Sequence, residues 1–141
     1  MNQITEAKTR LFRRGIALIA LAVIVASTSG CTSFEKDTWR FLHSAKDVID
    51  QASNDYNAGT LIGGKSQANY DLLTKAQQGK DALVLSFKTY WDAKQEIESQ
   101  LANGQISKAT AGQRLEIAIA GVTAVRNDLQ PLIDQLKKLK S

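Results

Sequence analysis

Cysteine, histidine and proline each occur once in this chain of 141 residues, as Cys31, His43 and Pro131. A single cysteine excludes an internal disulfide, so stability has to come from packing. A single histidine excludes a metal site built on a pair of histidines. One proline, with glycine confined to a few punctuation points, describes a helical composition. Long apolar runs are also missing. The longest, Gly15–Ala26, has 12 residues, against the roughly 20 that a membrane-spanning helix needs.

Charge of one sign is scarce once the chain is divided. The whole sequence is +4, a value that would suit a nucleic-acid binder. Residues 1–30 carry Lys8, Arg10, Arg13 and Arg14 against Glu6 alone. The remaining 111 residues hold 14 basic and 13 acidic side chains. No positive field remains that would argue for nucleic acid. At that length the remainder fits one domain.

What is present begins at the N-terminus. A basic start, a short apolar core and the small residues Ser27, Thr28, Ser29 and Gly30 describe a secretory signal peptide. The lone cysteine follows at once. Ser29-Gly30-Cys31 resembles the lipobox of bacterial lipoproteins, with Thr28 standing where that family usually has Leu. The resemblance covers about the first 31 residues. It implies cleavage between Gly30 and Cys31, and a thiol of Cys31 that carries diacylglycerol. Stable anchoring takes more than one acyl chain, which the lipoprotein arrangement would supply. In such families Asp after the cysteine favours retention at the inner membrane. Thr32 therefore leans toward the outer membrane, facing the periplasm. The organisation expected is a signal peptide over 1–30, a lipidated tether over 31–35 and a helical domain over 36–141.

That domain reads as three amphipathic helices. Trp39, Leu42, Ala45, Ile49, Ala52 and Tyr56 recur at steps of three and four. The first helix is expected to end at Ala58, with Gly59 in the left-handed conformation after the cap. Leu61 and Ile62 are expected to fold back over the helix ends. Ser66 is the expected N-cap of a second helix. It carries Tyr70, Leu73, Ala76, Leu83, Phe87, Tyr90, Trp91, Lys94, Ile97 and Leu101, and Asn103-Gly104 stops it. A third helix is expected to start near Ser107 or Thr110, with Thr110 and Gln113 as a capping box. Its stripe is Leu115, Ile119, Val122, Val125, Leu129, Leu132, Leu136 and Leu139, and it keeps phase through Pro131. Short connections imply antiparallel neighbours. The fold class expected is all-α, an up-down-up three-helix bundle. Folding at the turn near residue 106 sets Trp91 over Ala120 and Gly121.

Chemistry is sparse. His43 has Asp47 one turn away, and the pair reads as a helix surface. "GTLIGGKS" contains a GGKS fragment, but no strand precedes it, so a phosphate loop has no structural context. The carboxylates alternate with lysines along polar faces, as on solvated helices. No catalytic residue, metal ligand set or cofactor is expected. Trp39, Tyr56, Tyr70 and Trp91 are either core or the lining of a ligand groove, and helical spacing favours core. Lys137, Lys138 and Lys140 suit a helix C-terminus and form a candidate partner surface.

The function expected is that of a non-enzymatic, membrane-tethered envelope lipoprotein. Its partner would be an envelope protein, peptidoglycan or a second copy. The alternatives are an uncleaved inner-membrane signal anchor with an accessory role, and a small-ligand carrier.

Overall fold

The computed structural model describes residues 33–140, and Gly30 and Cys31 lie outside them. The chain divides into two compact units between Arg40 and Phe41. Three helices account for most of the described residues: α1 over 33–58, α2 over Gln67–Ala102 and α3 over Lys108–Lys138. No strand occurs among the described residues. No described helix is long and apolar enough to cross a membrane.

Of the first unit, residues 33–40 are described, and they are helical. Glu35 and Thr38 are buried there, whereas Trp39 is 53% exposed. The expectation that Trp39 opens the core stripe is therefore corrected. An Arg40 guanidinium nitrogen lies 3.5 Å from Asp37, one turn earlier.

The second unit is an all-α, up-down-up three-helix bundle, formed by the remainder of α1 with α2 and α3. Tyr56 near the end of α1 meets Tyr70 near the start of α2, with ring centroids 6.2 Å apart. These two helices are therefore antiparallel. Arg114 near the start of α3 donates to Gln100 near the end of α2 at 2.5 Å, which makes this pair antiparallel too. Arg126 lies over the Phe41 ring at 4.8 Å, and Lys140 donates to Gln51. Advancing along α1 thus advances along α3, and those two run parallel.

The ends of the helices follow from local chemistry. Gly59 has φ +75 and Gly104 has φ +69, the left-handed region that costs a side chain energy and glycine little. Each closes the helix before it. Gly59 N donates to Tyr56 O at 3.0 Å, and Gly104 N to Leu101 O at 3.1 Å. Ser66 caps α2 by accepting from Asn69 N at 3.3 Å. Ser107, not Thr110, caps α3: it accepts from Thr110 N at 3.1 Å. The Thr110 hydroxyl meets the Ser107 hydroxyl at 2.9 Å, so it is engaged with the cap and forms no capping box with Gln113. The reason is position: Thr110 already lies inside the first turn of α3.

The turn between α1 and α2 is held from inside. Leu61 is buried, while Ile62 is 56% exposed, so only the first of the two folds inward. Buried Asn69 donates through Nδ2 to Ile62 O at 3.0 Å and to Gly64 O at 2.9 Å. These two bonds fasten the backbone of the turn to the first turn of α2. Ile62 N donates to Leu139 O at 2.9 Å, tying the same turn to the end of α3.

The core carries the expected stripes with a different emphasis. From α1 come Leu42, Ala45, Val48, Ile49 and Ala52, and from α2 Ala76, Leu83, Phe87, Tyr90 and Ile97. From α3 come Ala111, Val122, Leu129, Ile133 and Leu136. Pro131 lies within α3, and helix continues on both sides of it. Gly121 is exposed, and a Cβ built on it would meet nothing within 4 Å. The placement of Trp91 over Ala120 and Gly121 is therefore overturned. The closely packed glycine is Gly79, whose Cβ would stand 3.1 Å from Leu129 Cδ1.

Candidate functional site

Three places in the second unit gather polar or aromatic side chains. The first is the basic end of α3. Lys137 and Lys138 are exposed on its last turn. Lys137 Nζ lies 3.9 Å from Asp134 one turn back. Lys140 reaches α1 and donates to Gln51. The end of α3 is thus docked on the body of the bundle through Lys140 and through the Leu139 carbonyl. Lys137 and Lys138 are the two lysines of this group that project from the last helical turn.

The second place is an aromatic cluster on one face of α2. Phe87 and Tyr90 stack with an interplanar angle of 2° and centroids 5.9 Å apart. Trp91 meets both edge-on, at 6.2 and 6.0 Å. Spacings of one, three and four residues put all three rings within one turn. Lys94, 9% exposed, holds Nζ 4.7 Å from the Trp91 centroid. An ammonium over an indole face is a stabilising arrangement, and the aliphatic stem of Lys94 shares the buried surface. With Phe87 and Tyr90 almost fully buried, this cluster is core.

The third place is a groove between α1 and α2, with a volume of about 360 Å³. Ile49 and Leu73 are among its lining residues. Tyr56 and Tyr70 also line it, their rings inclined at 46°. Tyr70 is 53% exposed and Tyr56 half-buried. The expected quartet of aromatics therefore separates: Tyr56 and Tyr70 line the groove, Trp91 belongs to the α2 cluster, and Trp39 lies in the other unit. Tyr70 in particular does not belong to the core stripe, because it sits in the first turn of α2, where the bundle ends.

Several polar side chains of the groove wall are already committed. Asp50 accepts from Lys46 at 2.5 Å, and that hydrogen bond holds the Lys46 ammonium above its ordinary pKa of 10.5. Gln77 donates to Asp81 at 3.3 Å, and the Thr74 hydroxyl donates to Tyr70 O at 2.9 Å. The side chains of Ser53, Asn57 and Gln78 and the two tyrosine hydroxyls carry no hydrogen bond among the described residues.

The described residues contain no group of three His, Cys, Asp or Glu side chains placed to hold a metal. His43 is exposed on α1. Gly63, Gly64 and Lys65 of the GGKS fragment form the turn organised by Asn69, with no strand before it. No protein-family model, curated protein or solved structure matches the chain.

Proposed function

We propose that this protein is a bacterial envelope lipoprotein, tethered through Cys31, whose exported part is a non-enzymatic helical interaction module. The observation that carries the reading is the order of residues at the N-terminus: four basic side chains, a 12-residue apolar run, four small residues and then the only cysteine. A thiol in that position becomes the first residue of the exported protein after cleavage at Gly30. Its acyl chains then supply the membrane affinity, at about 0.8 kcal/mol per buried methylene. The outer membrane is the destination favoured by Thr32. The bundle that follows buries its apolar stripes internally and has a near-neutral surface. It acts by presenting that surface to an envelope partner, with Lys137 and Lys138 as one basic contact.

The test is metabolic labelling with a palmitate analogue in a bacterial host. The wild-type chain is expected to take up label and to lose the mass of residues 1–30. Cys31→Ser is expected to accumulate at full length with no label. Uptake of label by Cys31→Ser would overturn the assignment of the lipid to this residue. An unlabelled wild-type chain of full length in the membrane would replace the lipoprotein by the uncleaved signal anchor.

A further inference from the structure

We propose that the groove between α1 and α2 is a binding site for an uncharged saccharide, with a pyranose ring laid against Tyr70. The inference goes beyond the envelope assignment and does not depend on how the chain is anchored.

A sugar ring has two chemistries at right angles: faces of C–H groups, and an equator of hydroxyls that donate and accept. The groove offers both. Ile49 and Leu73 line it with apolar side chains, and Tyr70, a residue 53% exposed, adds an aromatic ring to the wall. C–H groups, which carry partial positive charge, suit the negative face of such a ring. Around it stand Ser53, Asn57 and Gln78, whose hydroxyl and amide groups make no internal hydrogen bond. Each amide supplies an acceptor and two donors, and can therefore pair with neighbouring hydroxyls of one ring. About 360 Å³ falls in the size range of small-ligand sites, roughly 300–1,000 Å³.

The same wall argues against other ligands. No lysine or arginine lines it, and its one charged group is Asp50, already paired with Lys46. A phosphate or carboxylate would find no counter-charge there. A metal ion would find one carboxylate and no further hard ligand of like charge. An acyl chain would have to cover the amides and the tyrosine hydroxyls, which costs free energy when they are left unpaired. An uncharged ligand rich in hydroxyls satisfies the wall without such a penalty.

The test is calorimetric titration of the full chain, held in a detergent without a sugar headgroup, with N-acetylchitotetraose and separately with maltotetraose. Saturable binding of at least one of them is expected. Tyr70→Ala is expected to weaken it about tenfold, which corresponds to 1.4 kcal/mol and to the scale of one aromatic contact. Tyr70→Phe is expected to keep most of the affinity, since the ring face remains. Gln78→Ala, an exposed change, is expected to weaken binding with the fold intact by circular dichroism. A preference for the acetylated sugar would point to a cell-wall glycan, and a preference for maltotetraose to a free glucan. The proposal is overturned if neither sugar binds saturably, or if Tyr70→Ala binds as the wild type does.

Discussion

Gly79 and Gly121 occupy similar places near the middle of two long helices and meet opposite surroundings. At Gly79 the helix surface is pressed against Leu129, a side chain with no exposure, and a Cβ would come within 3.1 Å of it. At Gly121 the surface is open, with nothing within 4 Å. A glycine in a helix costs about 1 kcal/mol relative to alanine. At Gly79 that cost is offset by close approach of α2 to α3, which lets Leu129 fill the space a methyl would take. At Gly121 nothing in the described packing offsets it. The contrast shows that a small residue in a helix marks an interface only when its azimuth points there. One residue along a helix turns the side chain by about 100°, and Val122, the next residue, is 1% exposed.

The largest effect expected from this contrast comes from Gly79→Leu. The new side chain would have to displace Leu129, which is fully buried and already stands 3.1 Å from a Cβ at this position. Overpacking of this kind costs about 1–3 kcal/mol. Thermal and denaturant unfolding are expected to show that loss, whereas Gly121→Leu is expected to leave the midpoint unchanged or raised. Equal destabilisation by the two changes would break the comparison.

Gly121→Ala follows with a smaller effect of opposite sign. With φ in the helical range and open space around it, alanine is expected to raise stability by about 1 kcal/mol, through helix propensity and a less flexible unfolded chain. A measured loss would mean that the exposed face of α3 is covered in solution by something outside the described residues.

The two glycines also mark how far the sequence could be read. Helix lengths and ends were legible because caps are local: Gly59, Ser66, Asn103 and Gly104 act through neighbours within a few positions. The choice of Ser107 over Thr110 was not, since both are good caps three residues apart, and the decision depends on which residue leaves the helical conformation. The stripes of α1 and α2 were legible from spacing, apart from the tyrosine and tryptophan at their ends. Trp39 and Tyr70 have the right period and are nonetheless 53% exposed. In α3 the aliphatic residues are dense enough to support several phases, so spacing alone passes over Ile133, which is 1% exposed, and turns the exposed Gly121 toward the core. Asn69 gave no signal at all: its value lies in two carbonyls, of Ile62 and Gly64, brought back to it by the turn. The groove is legible only in three dimensions, because it joins residues 49–57 to residues 70–78 across two helices. The signal in the sequence is the pair of tyrosines, for which helical spacing favours core over groove without deciding between them.

The smallest and sharpest effect belongs to Gly79→Ala. Helix propensity favours the alanine by about 1 kcal/mol. Against it stands the contact with Leu129 Cδ1 at 3.1 Å, while Leu129 Cβ and Cγ lie at 3.8 and 3.9 Å, ordinary contact distances. The conflict is thus with one methyl group of one buried side chain. The two contributions have similar size, and the single change is expected to move the unfolding midpoint little. Leu129→Val removes both Cδ atoms, and with Cδ1 the 3.1 Å contact, while placing a second methyl on Cβ. It costs stability by itself, as loss of a buried methylene does. In its background, however, Gly79→Ala is expected to recover the propensity gain that the wild-type contact cancels. A double-mutant cycle should therefore give a coupling of about 0.5–1 kcal/mol, within the range for residues in direct contact. The same cycle between Gly121→Ala and Leu129→Val should be additive, because no described atom lies near the new methyl at 121. Additivity at Gly79 would show that Leu129 yields freely, and the distinction between the two glycines would then rest on the larger Gly79→Leu change alone.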